Sequence, residues 1–188
     1  MKLDGFTVRL RPSLRCALAI AEEHGPEATD FLAKISAGHV GVLTDILRHG
    51  IEDEEQRTHA LSWLAAPGPL RKRVELIAPP AYRFGIMLAG GNPDGNERQV
   101  SSDSDQHVSF IEALARVFAT ATGVLHWTPE ATWRATVREV TIAGWGVRIN
   151  TPGYKDTEEA KAEEAYRAVT NPGAFDRAGF EVLRNMMT

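Results

Sequence analysis

The sequence predicts a mainly α protein built as two small helical lobes, with a minor N-terminal β arm and a flexible polar linker. Three observations lead there. Apolar residues recur at three- and four-residue spacing through most of the chain, the period of a helix with one buried face. Strand-like alternation is confined to Phe6-Thr7-Val8-Arg9-Leu10-Arg11. Between Gly90 and His107 the sole strongly apolar residue is Val100, so this stretch buries too little surface to offset its ordering entropy. The boundaries that follow are 1–90 for a helical domain with the β arm, 91–107 for the linker, and 108–188 for a small helical module with a charged C-terminal helix.

The elements follow in order. Phe6 to Arg11 reads as a short half-buried strand. After Pro12-Ser13, the spacing of Leu14, Ala17, Leu18 and Ala21 predicts a helix that Gly25 stops. Pro26 opens a second helix with Phe31, Leu32 and Ile35 on its apolar side, closed by Gly38. His39 to Val42 is compatible with strand or helix start, and Leu43, Ile46 and Leu47 favour a short helix ending at Gly50. Glu52 to Leu64 reads as another helix whose acidic start complements the positive end of its dipole. Pro67-Gly68-Pro69 is a break. Helical spacing resumes from Leu70 to Ile77, Pro79-Pro80 interrupts it, and Tyr82 to Ala89 forms a separate last helix.

Beyond the linker, Phe110, Ile111, Leu114, Val117, Phe118 and Ala121 make one apolar stripe before Gly123. Thr128-Pro129-Glu130 is a helix-start signature, and Thr136 with Glu139 has capping-box spacing. Gly144 and Gly146 are expected to end that helix. Asp156 to Val169 is a charged, Ala-rich helix with a thin apolar face, and Ala174 to Met187 a weak amphipathic segment.

Composition bounds function. The chain of 188 residues has 21 Lys+Arg against 25 Asp+Glu, a formal net charge of −4, with 43% hydrophobic residues. This suits a folded domain and argues against a nucleic-acid binder, which needs a basic face to release phosphate counterions. One cysteine, Cys16, excludes an internal disulfide and Cys-pair zinc sites. The opening Met1-Lys2-Leu3-Asp4-Gly5 lacks the charged and apolar regions of a signal peptide, and no apolar run reaches membrane-spanning length. The expectation is a cytoplasmic protein with no membrane partner; a homo-oligomer stays open.

Candidate chemical motifs each have a plainer reading. Glu52 to Glu55 point in different directions around a helix and do not converge. Asp103 to His107 lacks the glycine and distant Glu of a calcium loop. Gly90 to Gly95 matches no phosphate-binding pattern. The six histidines form no H-x-x-x-H or H-E-x-x-H pair, and Cys16 reads as a small core residue. Arg71-Lys72-Arg73 reads as a solvated face. No catalytic, metal or cofactor-binding residues are nominated. Trp127, Trp133 and Trp145 cluster in a segment with little apolar mass, which fits core anchors and partner-binding hot spots alike.

Two stretches go beyond generic pattern. Phe6 to Gly25 carries a short strand, then Leu10-Arg11-Pro12-Ser13, then a helix ending in Glu22-Glu23. It resembles the opening of tail assembly chaperone-like proteins of phages and gene transfer agents. Gly123 to Glu139, with its Pro129-Glu130 helix start, Trp133 and Thr136-Val137-Arg138-Glu139, is similar to the short partner protein found beside them. The resemblance implies a non-enzymatic chaperone in the cytoplasm of a bacterial host, two parts joined in one chain. Such a protein holds the helical tape measure protein soluble and recruits tail tube subunits. On that reading Leu14, Leu18 and Phe31 shape or support a groove for the tape measure helix, and Trp127 and Trp133 recruit the tube subunit. The alternative is a structural tail completion or connector component.

Overall fold

The computed structural model describes residues 1–3, 5–94 and 108–151 and divides the chain into two units, Met1–Gly144 and Trp145–Thr188. The protein is mainly α. The β arm is a hairpin of β1 (Lys2–Leu3) and β2 (Phe6–Thr7), antiparallel, with Leu3 opposite Phe6 and Gly5 at φ 91°. The register extends one pair further, because the Met1 ammonium donates to the Val8 carbonyl at 2.8 Å and the Val8 N–H returns to Met1 O at 2.9 Å. Val8 is fully buried between exposed Thr7 and Arg9, so the expected alternation holds although β2 itself spans only Phe6–Thr7.

Helix α1 (Leu14–His24) starts where Ser13 Oγ accepts from the Cys16 N–H at 3.3 Å and stops at Gly25, whose φ of 123° favours glycine. Its Leu14, Cys16, Ala17, Ile20 and Ala21 are buried, and it contacts five helices of the fold. These are α2 (Ala28–Ser36), α3 (Val40–Gly50), α5 (Leu70–Leu88), α6 (Phe110–Ala119) and α7 (Pro129–Arg134). Between α3 and α5 lies α4 (Glu54–Ala65), capped by Asp53, whose Oδ1 accepts from Gln56 N–H at 2.8 Å. The ambiguous 39–42 stretch resolves as the start of α3. Helices α2 and α5 pack closely at Gly85, where a Cβ would stand 2.8 Å from Leu32 Cδ2 and 3.1 Å from Ile35 Cδ1.

Helix α5 corrects the expected break at Pro79-Pro80: it runs unbroken for 19 residues. Two interior prolines remove the donors for two carbonyls, at about 3 kcal/mol each. The stripe Ile77, Ala81, Phe84 and Leu88 is buried across them, so packing carries the helix through. A second correction concerns α8 (Val137–Ile149), which passes through Gly144 and Gly146 instead of ending there. Gly144 serves close approach, since a Cβ would meet Thr120 Cγ2 at 3.3 Å.

The caps beyond the linker form as their spacing implies. Thr128 Oγ1 accepts from Ala131 N–H at 3.2 Å, and Thr136 exchanges bonds with Glu139 at 2.7 and 3.0 Å. Ser109 and Glu112 add a capping box that the sequence reading passed over. Between α6 and α7 a π-helical turn (Thr120–Val124) leads to His126 at φ 56°, which brings the Trp127 N–H back to Ala121 O at 2.9 Å.

The boundary expected between 90 and 108 is not one in packing for residues 108–144, which share the core of the first unit. Leu14 N–H donates to Ala135 O at 2.7 Å beside a bridge from Ser13 to Thr136, and Phe110 N–H donates to Pro26 O at 2.8 Å. The Phe31 and Phe110 rings meet at 5.7 Å. The cause is the apolar stripe of α6, which has too little apolar surface in its own segment to cover it. Linker residues 95–107 and the expected helices at 156–169 and 174–187 lie outside the described residues.

Leu14 is 1% exposed in the core that both segments share, so Leu14→Ala is expected to cost about 2–5 kcal/mol. Thermal unfolding followed by circular dichroism and by tryptophan fluorescence should shift together. Two separated transitions would show that the segments unfold independently.

Candidate functional site

The residues singled out for partner binding fall in two classes. Leu14 and Phe31 are 1% and 0% exposed, so they present no surface and act only as support. Leu18, Trp127 and Trp133 are half-buried, packed on the core with one side open. Trp133 of α7 lies on Phe118 of α6, ring centroids 4.5 Å apart. Thr132 beside it is fully buried, and its hydroxyl is satisfied by Thr128 O at 3.0 Å. Trp133 therefore ties α7 to α6, and both tryptophans keep part of their surface open.

An open groove lies elsewhere, between the β arm and the second half of α5. Its floor and walls are Met1, Val8, Leu10, Pro80, Phe84 and Met87, its volume is about 380 Å³, and Arg9 and Arg83 also border it. The groove exists because the arm is tied down at a distance from α5. Arg11 N–H donates to Gly50 O at 2.8 Å, and Phe6 stacks on His59 at 4.0 Å. Arg83 pairs with Asp94 at 2.5 Å. An apolar channel with two methionines suits an apolar helix of variable sequence, because the thioether side chain adapts its shape.

The basic run does not converge on a ligand. Arg73 donates to the carbonyls of Leu64, Ala66 and Pro67, closing the C-terminus of α4, and Arg71 pairs with Glu75 at 2.8 Å. Of the acidic run, Asp53 is a cap and Glu52 faces Arg11 at 3.7 Å.

Charged groups do converge where α1 ends against α3. Asp45 is 7% exposed. Its Oδ2 lies 2.9 Å from His24 Nε2, and its Oδ1 accepts from Arg48. His49 Nε2 stands 3.6 Å from Glu23 Oε1. Among the described residues, Glu23, Asp45 and His49 form the group whose ligand atoms all lie within 4.8 Å of one another. Its local signal in the sequence is Asp45 and His49 at i and i+4 on one helix face, a spacing that histidine-pair motifs do not cover.

Cys16 is buried as expected, and burial pushes its thiol from 9.0 up to about 12. A thiol reagent should therefore label it only after unfolding. Above pH 9 the unfolded chain ionises this thiol while the folded chain does not until about pH 12. Its contribution is thus fully present below pH 9 and is lost as pH rises through that window, with a limiting slope of about 1.4 kcal/mol per pH unit. Urea unfolding of the parent and Cys16→Ala between pH 8 and 11 should give profiles that diverge in this direction; parallel profiles would refute the buried thiol.

No family model matches this chain, and neither the curated proteins nor the solved structures contain a match to it.

Proposed function

We propose that this protein is a non-enzymatic tail assembly chaperone that binds an apolar helical segment of a tape measure protein and recruits tail tube subunits in a bacterial cytoplasm. The observation that carries this reading is the open apolar groove between the β arm and α5, next to the Leu10-Arg11-Pro12-Ser13 step that resembles the chaperone family. A groove lined by Met1, Leu10 and Met87 over a buried Phe84 fits an amphipathic helix laid in by its apolar face. The second resembling segment contributes Trp127 and Trp133, half-buried aromatic residues of the kind enriched in interface hot spots. Because both segments belong to one compact unit, tape measure and tube subunit would be held at a fixed spacing, which raises their effective concentration for each other.

Two substitutions separate the roles. Met87→Glu places a charge in the groove from a half-buried position and should weaken binding of a helical tape measure fragment at least tenfold, about 1.4 kcal/mol, with the helical dichroism kept. Trp133→Ala should weaken tube-subunit capture by roughly thirtyfold, the usual cost of a central interface tryptophan, and leave fragment binding near the parent value. Calorimetry with each purified partner reads both. A folded Met87→Glu protein that binds the fragment normally would remove the groove from the proposal. Mass spectrometry of purified particles completes the test: a chaperone is missing from them, whereas its presence would assign a structural tail component instead.

A further inference from the structure

We propose that Glu23, Asp45 and His49 form a binding site for a divalent transition-metal ion of the zinc class. The inference does not depend on the chaperone reading. It begins with His49, whose Nε2 is enclosed yet has no hydrogen-bond partner among the described residues. A buried nitrogen left so carries its full desolvation cost, which calls for a ligand or an ion. Glu23 Oε1, at 3.6 Å, is too far to accept a hydrogen bond. It is close to the separation of roughly 3.4 Å between two ligands held about 2.0–2.1 Å from a tetrahedral ion.

The scaffold is rigid where it needs to be. Asp45 and His49 share one face of α3, one turn apart, and Glu23 projects from the last turn of α1. The three ligand atoms lie within 4.8 Å of one another, so closing on an ion takes a contraction of at most about 1.4 Å. Glu23, with a side chain 47% exposed, can supply the movement by changing rotamer. Asp45 is held on its other flank by His24 Nε2 at 2.9 Å, the outer contact that orients a ligating carboxylate. One imidazole nitrogen with two carboxylate oxygens suits zinc better than calcium or magnesium, which favour all-oxygen sets.

Arg48 opposes the ion. Two carboxylates, Glu23 and Asp45, face the one guanidinium of Arg48 there. The guanidinium takes part of the Asp45 charge that a dication would use, and its side chain is 50% exposed and able to swing aside. Arg48 therefore sets the affinity without being a ligand.

The test is titration of the full chain with Zn²⁺ by calorimetry in a weakly coordinating buffer, with Co²⁺ as a spectroscopic substitute. The expected result is one ion per chain. Co²⁺ should give visible d–d bands without a near-ultraviolet thiolate band, since Cys16 is not a ligand. Glu23→Gln and His49→Ala should each weaken Zn²⁺ by about tenfold or more with unchanged helical dichroism. His59→Ala, on the ring stacked against Phe6, should leave it unchanged. Arg48→Gln should tighten it. Asp45→Asn risks the fold, so the exposed and half-buried positions carry the test. No uptake at millimolar Zn²⁺ overturns the proposal, as does uptake that survives both Glu23→Gln and His49→Ala, or loss in only one of them. Affinity that does not rise in Arg48→Gln removes Asp45 as a ligand and with it the three-ligand site.

Discussion

The fold depends on the burial of α1. A helix that touches five others cannot present one apolar stripe and one wet face; it must be apolar nearly all round and small where neighbours approach. Leu14, Cys16, Ala17, Ile20 and Ala21 meet that demand, and the alanines admit close neighbours without leaving voids. Its polar residues, Arg15, Glu22 and Glu23, take the remaining outer strip. Arg15 faces Glu130 there at 3.2 Å, an exposed pair worth at most about 1 kcal/mol. The helix is therefore fixed by packing from both segments of the chain, and the arm, α3 and α6–α7 take their positions from it.

That constraint explains what the sequence made legible. Two helix starts are legible because a cap is local: Thr128 and Thr136 each accept from the backbone N–H three residues on. Stops were readable where glycine adopts positive φ, as at Gly25 and Gly38. The errors came where local and tertiary preferences disagree. Pro79-Pro80 breaks a helix by its own chemistry, yet a buried stripe on both sides outweighs the lost hydrogen bonds. Gly144 ends a helix by propensity, yet there it admits the Thr120 methyl. The docking of 108–144 on α1 left no mark in either segment alone, since periodicity reports that a face is buried and not what covers it.

The same distinction governs the sites. Leu14 and Phe31 stand out in the sequence as large and apolar at helical spacing, the property that places them in the core. Trp127 and Trp133 stand out by residue type, and they lie between core and surface. The groove was not legible at all, because its walls come from residues about 70 positions apart, brought together by the tie from Arg11 to Gly50. The charged cluster is an intermediate case. Its Asp45–His49 half is one turn of one helix, whereas Glu23 and His24 arrive only when α1 packs on α3.

Asp45 shows how a buried charge can be tolerated at that junction. Removing a carboxylate from water costs several kcal/mol, and attraction to one partner alone seldom returns it. Here both oxygens are engaged, one by the Arg48 guanidinium and one by His24. Lys34 reaches the same corner from α2 and donates to His24 O at 2.5 Å, satisfying a carbonyl at the end of α1. Three helices thus meet at a polar corner of a mostly apolar core. Such a corner adds little net stability over an apolar replacement, but its buried carboxylate is tolerated only while each oxygen keeps a partner. It therefore fixes the register of α1 on α3, and an ion bound there by Glu23 and His49 would tighten the junction from which the arm and its groove are hung.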